Sequence, residues 1–376
     1  MSTSFIPGPE AEELRTVVRG FLARHCDEPA VRHWMQTEPG YDPDIWRRMA
    51  REPGLPGLAI AERWGGSGAT AVELGVVFEE LGRALYGGPF LGTVALAASV
   101  LSALDDPAAQ QRHLPGIAAG HTTGALAWGG ADPLTSTLRA ERDSAGGWRI
   151  TGRAGPTVDG GVATLLLAVA DTPEGLGVFA VEPGADGLAR TALTPLDSTR
   201  GLAELDFAAA PATAVGTPGA VTERLSSALD VAVVLLACEQ VGGASRTLEM
   251  AVEHAGTRVQ FGRRIGSFQA VKHRCADMLV AVESARSAAY FGTWAAAHDH
   301  AELPLAAALA GAVCSEAYTR CALDNIQLHG GIGFTWEHPA HLYAKRARSS
   351  QLLLGSPVRH RSRLGRILDI PEARPA

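Results

Sequence analysis

Five cysteines in 376 residues, none in a C-x-x-C pair, leave no basis for a disulfide framework or a zinc site. Cys26, Cys238, Cys275, Cys314 and Cys321 are scattered, which favours ordinary buried thiols in a reducing compartment, and a cytoplasmic chain is expected. Positive charge is not in excess either. The net charge is −7, so there is no overall basic field to attract nucleic acid. The longest apolar run of interest, Val231 to Cys238, has eight residues, too few to cross a bilayer, and no membrane span is expected. The first residues lack the basic and apolar regions of a signal peptide. G-x-S-x-G, a P-loop, a Rossmann G-x-G-x-x-G and H-E-x-x-H are all missing, and no metal site is expected. His338 and His341, beside Glu337, read as a solvated helix start. The run Lys345, Arg346, Arg348 reads as a solvated or subunit-facing helix surface.

What is present is ample apolar material: 46% of the residues are hydrophobic, enough to bury a substantial core. Composition and period separate three zones, and an α+β class is expected. Residues 1–118 are helix-rich, with Leu14, Val18, Phe21 and Leu22 at helical spacing and Glu10, Glu12 and Glu13 in the first turn. Residues 119–215 carry short β-prone runs (Trp148 to Thr151, Thr164 to Ala170, Gly177 to Val181, Ala203 to Phe207), and predict a small antiparallel β domain. Residues 216–376 return to long helices. One is expected from near Ser267 to about His298, another after Pro304 to Leu328, stopped by Gly330-Gly331, which together suit a four-helix bundle.

Two segments of the last zone are specific. Arg258-Val259-Gln260-Phe261-Gly262-Arg263-Arg264-Ile265-Gly266-Ser267-Phe268-Gln269 matches R-x-x-F-G-x-x-[IL]-x-x-x-Q, and Gln327-Leu328-His329-Gly330-Gly331-Ile332-Gly333-Phe334 matches Q-x-x-G-G-x-G-[FY]. In both, the chain resembles the acyl-CoA dehydrogenase family. Fainter likenesses at Ala61 to Gly66 and Leu196 to Arg200 extend it over nearly the whole length. The resemblance implies FAD as cofactor, an acyl-CoA substrate, and an electron-transfer flavoprotein or similar acceptor. It assigns the cofactor contacts to Arg258, Phe261, Gln269, Gln327, Gly330, Gly331, Gly333 and Thr157, and a place near the CoA moiety to Asp230. The residue types suit those contacts. Arg258 offers a permanently charged fork for phosphate, and the glycines let backbone N–H groups approach an anion.

The chain also departs from the family. Oxidation of an acyl-CoA to an enoyl-CoA needs a base for the proton beside the thioester carbonyl and a flavin to take the β-hydrogen as hydride. The family's base is a Glu at one of two places. Here those places hold Leu354, in Leu352-Leu353-Leu354-Gly355-Ser356, and Ala232, 26 residues before Arg258. Glu239 lies two helical turns beyond Ala232, roughly 10 Å along the axis, and reads as a structural carboxylate. The catalytic residue is therefore unassigned. The strand expected to shield the flavin ring reads Arg153-Ala154-Gly155-Pro156-Thr157, in which only Thr157 can hydrogen-bond a flavin edge. The family includes actinobacterial heterotetramers in which one subunit type lacks the Glu, and this sequence resembles that subunit. A homodimer or homotetramer, a changed non-redox or carrier-protein-linked reaction, and a CoA-ester binding protein are the alternatives.

Overall fold

Three helices begin where an acidic or hydroxyl side chain precedes a proline. Asp42, Asp106 and Ser356 accept hydrogen bonds from backbone N–H groups of the first turn, while Pro43, Pro107 and Pro357 occupy positions that need no donor. The computed structural model describes residues 5–370. The first elements are α1 (Pro9–His25), α2 (Glu28–Trp34), α3 (Pro43–Arg51), α4 (Ala71–Arg83), a π-helical segment (Leu91–Ala98) leading into α5 (Ser99–Ala103), and α6 (Pro107–Ala118). Strands follow: β1 (Gly124–Trp128), β2 (Arg139–Arg142), β3 (Trp148–Val158), β4 (Leu165–Thr172), β5 (Gly175–Val181), β6 (Leu188–Ala192) and β7 (Leu202–Val215). Then come α7 (Thr222–Thr257), the short pair β8 (Val259–Gln260) and β9 (Arg263–Arg264), α8 (Gln269–His298), α9 (Leu303–His329), α10 (Ala340–Ser350) and α11 (Pro357–Ile367).

The chain divides into two compact units. One holds residues up to Ala30, Ala71–Tyr86 and the chain from Val233 onward; the other holds Val31–Thr70 and Gly87–Ala232. The second unit is built on a seven-stranded sheet in the order β1-β4-β2-β3-β7-β5, with β6 beside β7. Most pairings are antiparallel, but β1 runs parallel to β4, with Ala125 opposite Leu166 and Ala127 opposite Ala168. The sequence pattern did not single out β1, whose Gly-Ala-Leu-Ala-Trp run is too short and too small-sided to announce itself. Leu166, Phe179, Leu205 and Phe207 sit in the core, and Trp148 meets Phe179 edge-to-face at 5.1 Å. Between Ala154 and Thr157 the β3–β7 register slips at a bulge holding Gly155 and Pro156.

In the first unit the long helices lie where the sequence places them, at Gln269–His298 and Leu303–His329. Its tightest crossing is between α4 and α7. A Cβ on Gly82 would sit 1.9 Å from the Glu239 carbonyl oxygen, and one on Gly242 would sit 1.7 Å from the Glu79 carbonyl oxygen. Only glycine permits that approach. By length and composition α7 is apolar enough to cross a membrane, which the eight-residue run alone does not reveal. Its most apolar 18 residues are 83% buried within the protein, as a core helix requires.

Candidate functional site

The segment after α7 is a tight hairpin. β8 and β9 pair Val259 with Arg264 and Gln260 with Arg263, leaving Phe261 and Gly262 as the two turn residues. Both have positive φ, 52° and 76°. Glycine accepts that conformation freely, but a bulky residue does so at a cost on the order of 1–3 kcal/mol. Phe261 is also 90% exposed, touching the edge of Phe268 at 6.1 Å. An aromatic ring held in a strained turn and left in water is not explained by the chain's own packing. Beside it, the exposed Arg258 makes no side-chain hydrogen bond or ion pair among the described residues. Its backbone N–H donates to the His254 carbonyl at 2.9 Å.

Helices α8 and α9 pack antiparallel, with register set by Arg274–Asp324 at 2.6 Å and Arg320–Asp277 at 3.4 Å. Gln269, which opens α8, and Gln327, two residues from the end of α9, therefore lie at the same end, and both are exposed. The glycines that follow do different things. Gly330 ends α9 at φ 61°, a conformation that suits glycine. Gly333 is required by packing, because a Cβ there would meet the Ile326 carbonyl oxygen at 2.7 Å. Gly331 is required by neither: a Cβ would meet nothing within 4 Å. An exposed glycine that the chain itself does not need leaves its backbone open to a ligand. With the unpaired guanidinium of Arg258, these residues fit a phosphate-bearing group.

Three imidazoles connect the two segments. His254, one turn before Arg258, stacks on His329 at 4.3 Å, and His329 lies 4.1 Å from His338. His338 is thus not part of a solvated helix start, and His341 rests against Trp336 at 4.5 Å. The first pair, His254–His329, is stacked, 29° from parallel, and the second, His329–His338, is tilted at 40°; the described residues contain no group of side chains placed to hold a metal ion. Burial, then the His329 and Arg258 charges, lowers the pKa of His254. Burial, with His329 as the next cause, brings His338 down to about 4, and burial with Arg363 and Arg359 does the same for His360. Unfolded histidine titrates near 6.5, so the unfolded chain binds more protons between those values. The stability tied to the neutral rings is full above pH ~6.5 and is lost as pH falls towards ~4. The melting temperature is expected to drop over that window, and His360→Phe, which keeps a ring without a titrating group, should flatten the slope.

Neither position at which the resemblance expects the base carries a carboxylate. Leu354 is half-buried at φ 55°, followed by Gly355 at φ 115° and by Ser356, whose hydroxyl caps α11. Ala232 is fully buried. Glu239 pairs with Arg346 at 3.1 Å; Arg346 is 1% exposed and also donates to the Tyr86 carbonyl at 3.4 Å. The Lys345–Arg348 run is therefore not a solvated surface throughout. Its middle arginine is a core cation, while Lys345 lies over the Trp336 ring at 4.2 Å.

Sequence reasoning also missed two buried acids on α4. Glu79 accepts from the Tyr290 hydroxyl at 3.0 Å, pairs with Arg15 at 2.9 Å and with Arg286. Glu80 is bonded by Arg19 at 2.7 and 2.8 Å and by Arg15 at 3.1 Å. Every carboxylate oxygen is engaged, so both are structural anions rather than free bases. In the second unit Thr157 is 2% exposed at the end of the β3 bulge, and Asp230 is 3% exposed.

This combination of a helical unit with Arg- and Gly-bearing turns and a sheet unit with a bulged third strand is reflected in known proteins. Residues 8–121 match the model described as "Acyl-CoA dehydrogenase, N-terminal domain", and residues 222–368 match "Acyl-CoA dehydrogenase, C-terminal domain". The chain is 37% identical over 355 residues to "Acyl-CoA dehydrogenase IpdE2" of Mycobacterium tuberculosis, covering 93% of this chain and 95% of that protein. Among solved structures it is similar to the ChsE4-ChsE5 complex from Mycobacterium tuberculosis, with a TM-score of 0.89, 29% identity, and 99% and 100% of the two chains covered. It is also similar to the Tcur3481-Tcur3483 steroid ACAD, with a TM-score of 0.85, 30% identity, and 96% and 98% covered. The chain belongs to the acyl-CoA dehydrogenase family. Members of that family are FAD-binding flavoproteins, oxidoreductases that act on CH–CH bonds, and they form oligomers.

Proposed function

We propose that this chain is the base-lacking subunit of an acyl-CoA dehydrogenase hetero-oligomer, acting in the cytoplasm. Its paralogous partner carries the Glu that this chain lacks. In this reading Arg258 and the backbone of Gly330, Gly331 and Gly333 hold the flavin pyrophosphate. Phe261, Gln269 and Gln327 complete that grip, Thr157 meets the flavin edge, and Asp230 serves the CoA side. The bound flavin supplies a two-electron acceptor for the β-hydrogen of the acyl-CoA, and an electron-transfer flavoprotein or similar acceptor reoxidises it. The chain's own residues bind and orient; they do not take the α-proton.

The observation that carries this reading is an asymmetry. Arg258, Phe261, Gly330 and Gly331 are exposed, with Phe261 in a strained turn, while leucine and alanine stand where the resemblance expects the base. Exposed Phe334 (85%) and Trp336 (65%), and an apolar groove of about 440 Å³ lined by Val252, Ala255, Val271 and Cys275, supply further surface for a neighbouring subunit. The chain's likeness to the two-protein ChsE4-ChsE5 complex supports a mixed assembly.

Purified alone, the chain should show little flavin absorbance and no oxidation of acyl-CoA. Co-expression with a Glu-bearing paralogue should bring both back in one co-eluting assembly. A fully active homomer would rule the partner out.

A further inference from the structure

The two segments read as the flavin half-site come from different helix ends, and something must hold them in register. Arg258 hangs one turn beyond His254, with its N–H on the His254 carbonyl at 2.9 Å. Gly330 directly follows His329. The His254 and His329 rings are 4.3 Å apart and 29° from parallel, and the His338 ring lies 4.1 Å from His329. His329 is thus the shared member of both contacts. It is also held from behind: its Nδ1 is 2.8 Å from the Asn325 carbonyl oxygen. A carbonyl only accepts, so Nδ1 carries the proton and the ring is fixed in rotation.

We propose that His254, His329 and His338 are positioning residues, whose packed rings hold the Arg258 segment in register with the Gly330–Gly333 turn and so set the grip on the flavin phosphates. This rests on the reading of those two segments as flavin contacts. The charged and titratable groups that face the stack are Arg258 after α7, Glu28 at the start of α2, His341 on α10 and, across Trp336, Lys345. Charging two neighbouring rings would place like charges about 4 Å apart, a repulsion that exceeds what ring stacking gains. Burial and these neighbours hold His254 and His338 below the usual histidine range, which keeps both outer rings neutral near pH 7. A stack of this kind joins the end of α7, the end of α9 and the approach to α10 through ring contacts rather than backbone bonds.

The test compares His329→Ala, His329→Phe and Arg258→Ala with the native chain at pH 7.5. Backbone hydrogen exchange is followed in residues 258–268 and 330–335 of the full chain, and FAD affinity is titrated on the complex co-expressed with a Glu-bearing paralogue. His329→Ala should speed exchange in both segments together and weaken FAD binding, each about tenfold, the weight of one ring contact. His329→Phe should restore both, because a ring replaces a ring. Faster exchange in only one segment, or a Phe variant that is folded yet no better than the Ala variant, would overturn the positioning role. Coupled exchange with an FAD affinity indifferent to Arg258→Ala would support the stack and overturn the flavin reading instead.

Discussion

Arg15→Met should destabilise the chain by about 3–5 kcal/mol, read as a lowered midpoint in urea unfolding, although it lies far in sequence from Arg258 and Gly330. Arg15 Nη1 is 2.9 Å from Glu79 and 3.1 Å from Glu80, two carboxylates whose side chains are 6% and 1% exposed. A surface pair of this geometry would contribute little. Here the cation bridges two adjacent buried anions, and removing it takes away the one charge they share, leaving Glu79 to Arg286 and Glu80 to Arg19. Adding Glu79→Gln to Arg15→Met should recover part of the loss by removing one of the two anions. A change below about 1 kcal/mol would mean that water reaches the cluster and screens it.

Arg258→Ala should weaken FAD binding to the assembled protein by roughly 10- to 100-fold, the range expected for losing hydrogen bonds to a charged group. Arg258→Lys should fall between, since it keeps the charge but not the planar fork. Stability should hardly move, because the side chain is exposed and makes no ion pair among the described residues. That separation is the useful part of the experiment: a cofactor contact changes flavin retention without changing unfolding, whereas Arg15 should do the reverse. Equal flavin content in native and Arg258→Ala protein would remove Arg258 from the site.

The two segments that mark the family were legible because their residues are close in sequence and their spacing is specific. Helix ends were legible for a similar reason: Gly330 and Pro304 are local punctuation. The ionic core was not. Glu80 and Arg19 are 61 residues apart, and Glu79 and Tyr290 are 211 apart, so nothing local marks them as partners. Arg346 misled because a basic run on a helix distributes its members around the axis, and here the middle one turns inward to Glu239. His338 misled in the same way: a histidine before a proline at a helix start looks solvated until the tertiary fold brings His329 beneath it. The sequence shows a leucine at position 354, where the resemblance expects a Glu, but only the structure shows that this leucine has a left-handed backbone.

The crossing of α4 and α7 at Gly82 and Gly242 has a mechanical consequence. With backbone against backbone there is no layer of side chains to shear, so neither helix can slide along the other without a main-chain collision. Glu79 and Glu239, each at the carbonyl that faces the opposite glycine, anchor the ionic groups on either side of that contact. The pair behaves as a pinned joint. Strain arriving at either helix end can turn the helices about this point but cannot change how far one extends past the other, so the far end of α7, where Arg258 begins, keeps a fixed reach.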